Sequence, residues 1–238
     1  KGFLQDCENA IQSLLPFSQD IGIIVGVPTR NDSGKGKGLY NSACFLYGGE
    51  VVSVVHKALL PIYDVFEEPK FFAAGDRFEV ISFRGRKIAL TICEDIWNIG
   101  NENPLYDVCP IDQLSGQVPD YAINISAVVF SLGKAAERKD ILKRNAVKYK
   151  LPVFNVNHVG AQTGLVFDGG SVVASPDGMI YREMPYFTEA LEIFDLDEVT
   201  RGGREDEMVP DEIASIHQAL ILGIRDYFKK QNLSTAIL

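Results

Sequence analysis

The run Ile88-Ala89-Leu90-Thr91-Ile92 reads as a buried β-strand that stops abruptly at Cys93-Glu94-Asp95-Ile96-Trp97. A thiol followed by two carboxylates therefore sits at the C-terminal end of a core strand, where the chain must turn. In layered α/β folds that is where ligands and catalytic groups gather. A second apolar run, Val54-Val55, ends in His56-Lys57 and leads into Ala58-Leu59-Leu60-Pro61. A lysine brought beside a thiol lowers the thiol's pKa and makes it a better nucleophile. The two strand ends together predict acyl transfer at Cys93.

Further β-rich runs flank turn signals. Ser42–Tyr47 and Val51–Lys57 lie on either side of Gly48-Gly49-Glu50, and Phe78–Phe83 and Lys87–Cys93 on either side of Arg84-Gly85-Arg86. Ser171–Ala174 and Met179–Glu183 flank the tight turn Ser175-Pro176-Asp177-Gly178. Ile21–Pro28, Tyr121–Ser126, Leu151–Val159 and Ala190–Leu196 are also read as strands. Helices are expected at Phe3–Leu15, at Lys134–Lys150 with an Ile141, Leu142 and Val147 stripe, and at Asp211–Lys230 with Ile213, Ile216, Leu220, Ile224, Tyr227 and Phe228 on one face. The segment Asn98–Gln117 reads as loop, and Arg201–Met208 as a charged linker. The Gly-rich stretch Asn31–Gly38 has no helix after it and reads as a hairpin tip rather than a phosphate cradle. Many hairpins with interposed helices predict a two-sheet α/β sandwich with helices outside.

Composition removes several functions. The chain has 238 residues, 46% of them hydrophobic and 23% charged, with a net charge of −9. That acidity disfavours nucleic acid and anionic membrane partners, and no apolar run reaches the roughly 20 residues of a membrane span. Cys7, Cys44, Cys93 and Cys109 form no CxxC pair, and His56, His158 and His217 lie far apart. No metal site is expected, and a reducing, cytoplasmic setting is. The start at Lys1 and the stop at Ala236-Ile237-Leu238 suggest an internal piece of a longer polypeptide.

The wording around the two strand ends extends further. His56-Lys57-Ala58-Leu59-Leu60-Pro61-Ile62-Tyr63, then Glu67-Glu68, Gly75-Asp76 and Ile92-Cys93-Glu94-Asp95-Ile96-Trp97 resemble the nitrilase (carbon–nitrogen hydrolase) superfamily. Asn124-Ile125-Ser126-Ala127, Gly133-Lys134, Asn155 to Gln162 and Phe167-Asp168-Gly169-Gly170-Ser171 resemble, within it, the glutaminase domains of glutamine-dependent NAD+ synthetases. The resemblance runs over nearly the whole chain, in order. It implies a nitrilase-type four-layer α-β-β-α sandwich over residues 1–200, and a linker and connector helix over 201–238 leading to a synthetase domain.

The same resemblance implies that Cys93 attacks the side-chain amide of L-glutamine and Lys57 stabilises the oxyanion. Tyr63 and Lys134 fall where the family holds glutamine, and Glu68 where it has a second glutamate near the lysine. The family's general-base glutamate falls before Lys1. No cofactor is implied for this domain. ATP and Mg belong to the synthetase domain, which takes deamido-NAD+, and a homo-oligomer is implied. The chain departs from the family at Val128, where a serine is usual, and at Gly164, where a glutamate is frequent. A stand-alone amidase and a catalytically impaired scaffold are the alternatives. Glu94 and Asp95 read equally well as turn-capping groups and as chemical ones, His56 as a packed histidine, and Asp168-Gly169-Gly170 as a structural turn.

Overall fold

The computed structural model describes residues 2–204 and 206–236, which form two compact units meeting in the chain between Ile125 and Ser126. The first begins with helix α1 (Gly2–Leu14) and a three-stranded antiparallel sheet of β1 (Ile23–Arg30), β2 (Leu39–Tyr47) and β3 (Glu50–His56), in that order. The β2–β3 turn rests on Gly48 and Gly49, at φ +64° and +78°, a left-handed pair that glycine adopts without strain. Alternation along β2 assigns its two faces. Cys44 and Leu46 pack on Ile11 and Leu14 of α1, while Ala43 and Phe45 face the opposite way.

There they meet β4 (Ile81–Phe83) and β5 (Arg86–Ile92), through Ile81, Ile88, Leu90 and Ile92. The chain passes helix α2 (Pro110–Ser115) and returns as β6 (Tyr121–Ser126), parallel to β5 with Ile92 opposite Ile125. The unit is thus helix, sheet and sheet in layers, and both β3 and β5 end at its core.

The second unit holds α3 (Lys134–Tyr149), β7 (Val153–Asn157), β8 (Val159–Gln162), β9 (Leu165–Asp168), β10 (Val172–Ala174) and β11 (Ile180–Glu183), then α4 (Leu196–Thr200) and α5 (Glu212–Lys230). β7, β10 and β11 pair antiparallel in the order β7-β10-β11, and β8 and β9 form a separate hairpin. α3 lies on β7 and β10, and α5 lies on β8 and β9.

The mixed α/β class is as expected, but several local readings are corrected. Ala190–Leu196 is no strand: Leu191 and Ile193 are 90% and 94% exposed, and Glu192 instead pairs with Arg182. The supposed single strand Leu151–Val159 breaks at His158, where β7 gives way to β8. The loop reading of Asn98–Gln117 misses α2, which Pro110 opens and Ile111 and Leu114 bury. Of Phe78–Phe83 only Ile81–Phe83 pairs as a strand. In α3, Val147 is exposed, and Arg138, Lys139 and Ala146 share the buried face with Ile141 and Leu142.

Candidate active site

Lys57 follows the last residue of β3 and is 1% exposed. Its backbone is tied on both sides: its N–H donates to Asn41 O at 2.8 Å and its carbonyl accepts from Gly75 N at 2.8 Å. Gly75 must be glycine there, because a Cβ would collide with the His56 carbonyl. The Lys57 ammonium lies 2.5 Å from Glu68 Oε1, and Glu68 Oε2 accepts from Asn41 Nδ2 at 3.4 Å. Burial works against the charge of Lys57, but Cys93, Glu68 and Asp95 outweigh it and hold the ammonium above its ordinary pKa. A buried cation persists only with such partners.

Cys93 opens a single 3-10 turn, Cys93–Ile96, directly after β5. Its φ is +47°, a left-handed conformation that a non-glycine residue adopts at a cost of about 1–2 kcal/mol. The turn half-buries the thiol at the edge of the core, and its carbonyl accepts from Asn124 Nδ2 at 3.3 Å.

The two carboxylates that follow are buried and turn away from each other in role. Glu94 accepts the hydroxyls of Tyr63, at 2.9 and 2.8 Å, and of Tyr106, at 2.9 Å. Burial, then Glu94 itself, pushes the Tyr106 hydroxyl well above its usual pKa, so it stays a protonated donor. Asp95 accepts only backbone N–H groups: Ala58 at 3.0 Å, Leu59 at 2.9 Å and Ile92 at 3.1 Å. Burial raises Asp95 to about 6, and the three amides and Lys57 oppose that rise.

His56 packs rather than reacts. Its ring stacks on Tyr40 with centroids 4.0 Å apart, its Nδ1 bonds Ser42 Oγ at 2.8 Å, and burial lowers its pKa.

The buried lysine–glutamate pair interacts electrostatically with the strand-end thiol, and a match to known proteins covers the same segment. Residues 13–106 match the carbon–nitrogen hydrolase family. The chain carries a carbon–nitrogen hydrolase domain.

The domain is similar to the glutamine-dependent NAD(+) synthetase of Synechocystis sp., at 34% identity over 99% of this chain and 44% of the relative. It is also similar to that of Acinetobacter baylyi, at 30% over 92% of this chain and 39% of the relative. The chain thus spans less than half the length of these relatives. Among solved structures, glutamine-dependent NAD+ synthetase from Acinetobacter baumannii in complex with ADP superposes with TM-score 0.81 and 31% identity, over 97% of this chain and 43% of that one. An amidase of the nitrilase superfamily from Nesterenkonia shares the fold, with TM-score 0.61 and 24% identity over 76% of this chain and 64% of that one.

In the first unit Lys57 pairs with Glu68 and interacts electrostatically with Cys93, while Tyr63 bonds Glu94, the residue that follows Cys93. Lys134 belongs to the second unit, at the start of α3, with its ammonium 2.8 Å from Glu137. The second unit also holds Val128, buried, whose N–H donates to Asn157 Oδ1 at 3.0 Å. Asp168-Gly169-Gly170 is a structural turn, as the sequence suggested, with both glycines at positive φ. Asp168 meets Asn157 Nδ2 at 3.0 Å and Arg138 at 3.2 Å. Sequence reasoning missed Tyr106 and Asn41. Neither carries a local signal, since each enters the site through a side-chain hydrogen bond to a carboxylate from elsewhere in the chain.

Proposed function

We propose that this chain is the glutaminase module of a glutamine-dependent NAD+ synthetase. The carrying observation is the Lys57 ammonium, buried, pinned by Glu68 and acting electrostatically on Cys93. The similarity to the synthetases, spread over nearly the whole chain, supports the choice of substrate.

In this reading the Cys93 thiolate attacks the side-chain amide carbon of L-glutamine. The tetrahedral oxyanion collapses, the C–N bond breaks, a general base returns to the departing nitrogen the proton it took from the Cys93 thiol so that ammonia leaves, and a γ-glutamyl thioester remains. Water hydrolyses the thioester to glutamate and regenerates the thiol. Lys57 supplies a fixed positive charge where the oxyanion develops, in a site too dry to screen it. Glu68 keeps that lysine charged and aimed. Tyr63, held by Glu94, contacts glutamine.

The ammonia serves amidation of deamido-NAD+ in a synthetase domain that binds ATP and Mg. Residues 1–200 are the glutaminase domain, and 201–238 the linker and connector helix. The face of α5 supports this division: Ile213, Leu220, Ile224 and Tyr227 are exposed, while the helix docks through Ala219, Leu222 and Asp226, whose Oδ2 accepts from Ala161 N at 2.8 Å. A cytoplasmic, homo-oligomeric enzyme completes the reading. No helix among the described residues is long and apolar enough to cross a membrane.

Intact mass spectrometry after exposure to a diazoketone analogue of glutamine tests the reading. One adduct per chain, localised to Cys93, is expected, and no adduct on folded protein overturns glutamine as substrate. Lys57→Met should lower kcat for ammonia release by about 100–1000-fold with KM nearly unchanged, because its charge acts in the transition state. A change confined to KM would assign Lys57 to substrate binding instead.

A further inference from the structure

Asp95 stands apart among the buried carboxylates of the first unit in touching no side-chain donor that the chemistry uses. Its Oδ1 takes the amides of Ala58 and Leu59, the two residues that follow Lys57. Its Oδ2 takes the amide of Ile92, the residue that precedes Cys93. Ala58 and Leu59 are more than thirty residues from Asp95 in the chain, so one carboxylate joins the end of β3 to the end of β5. The left-handed turn at Cys93 is held open from within by the same group.

We infer that Asp95 is a positioning residue that sets the Lys57 ammonium against the Cys93 thiol by clamping the backbone beside each. The clamp needs a carboxylate. Ionised, both oxygens are acceptors only, which matches three converging N–H donors. An asparagine would turn an NH2 toward one of those amides and leave it unpaired in the core. The ammonium itself is aimed by Glu68, so Asp95 governs the separation of the two strand ends rather than the lysine's rotamer.

This inference rests on the proposed Cys93–Lys57 pair, and the experiment separates the two. Alkylation of Cys93 by iodoacetamide, followed against pH, reads the pair without any amide substrate. In Asp95→Asn the alkylation midpoint should move up by about one pH unit or more, toward the profile of Lys57→Met. Ammonia release should fall about 100-fold in kcat with little change in KM, the expected cost of a misplaced catalytic group. Asp95→Glu keeps the charge and acceptors but lengthens the reach, and serves should the asparagine variant fail to fold; its midpoint should move in the same direction by less. A folded variant whose alkylation profile and kcat match wild type overturns the positioning role. A wild-type profile that Lys57→Met leaves unmoved overturns the pair and the inference together. Failure of glutamine turnover in wild type, with the alkylation shift intact, overturns only the substrate.

Discussion

Cys93→Ala is expected to abolish ammonia release from L-glutamine and to leave the fold in place. The sulfur is the single atom the proposed reaction cannot replace. Lys57 and Glu68 are already engaged as a charged pair, and Glu94 and Asp95 are saturated by two tyrosine hydroxyls and three backbone amides. None of these groups is placed to attack a carbonyl. Alanine removes one half-buried atom and keeps the same backbone demand at φ +47°, so stability should change by less than about 1.5 kcal/mol. Steady-state ammonia release and a thermal melt on the same preparation decide the matter. Residual turnover above a few percent of wild type would reassign the nucleophile. Cys93→Ser should be equally inactive, because a serine hydroxyl beside a lysine is not ionised to any useful extent.

What the sequence showed of this site follows from where the information lies. Cys93 and Lys57 are legible because each closes an apolar strand run, and a change from apolar to ionisable is a local signal. The same holds for the Gly48-Gly49 turn, whose positive φ is written in residue type. Glu68 and Tyr63 needed the resemblance, since nothing local marks them. The clamp at Asp95 was only half legible. Its bond to Ile92 is a turn-capping interaction within three residues, but its bonds to Ala58 and Leu59 exist only once the two strand ends meet.

The misread strand at Ala190–Leu196 shows the converse. Leu191, Glu192 and Ile193 alternate as an edge strand would, yet Leu191 and Ile193 are exposed and the segment pairs with no strand among the described residues, because no hydrogen-bonding partner is supplied by the sequence pattern itself. β8 was missed for the opposite reason: Gly160-Ala161-Gln162 is poor in β-formers, and the strand forms a hairpin with β9 against which α5 lies.

The second large effect is on stability. Arg138→Ala is expected to destabilise the second unit by about 3–5 kcal/mol, the usual consequence of removing one partner from a buried ion pair. Arg138 and Asp168 side chains are 2% and 4% exposed. The guanidinium donates to both Asp168 oxygens, at 3.2 and 3.4 Å, and to the carbonyls of Gly169 and Gly170, at 3.2 and 3.3 Å. Alanine therefore leaves a buried carboxylate to which the Asn157 side-chain amide still donates, and two turn carbonyls without their cation.

Burial already raises the Asp168 pKa, with Arg138 the main opposing influence, so loss of the arginine raises it further. A carboxyl with a raised folded pKa favours the folded state at low pH and loses that contribution as pH rises through the folded value. The deficit of Arg138→Ala should accordingly be largest at neutral pH and shrink on acidification, and Asp168→Asn in the same background should recover part of it. Arg138→Lys should recover less than half, because a single ammonium cannot span two carboxylate oxygens and two carbonyls. Denaturant unfolding of the four proteins at neutral and acidic pH measures all of this. A deficit that does not vary with pH would mean that Arg138 stabilises the Gly169-Gly170 turn by its hydrogen bonds to the carbonyls, and not by neutralising Asp168.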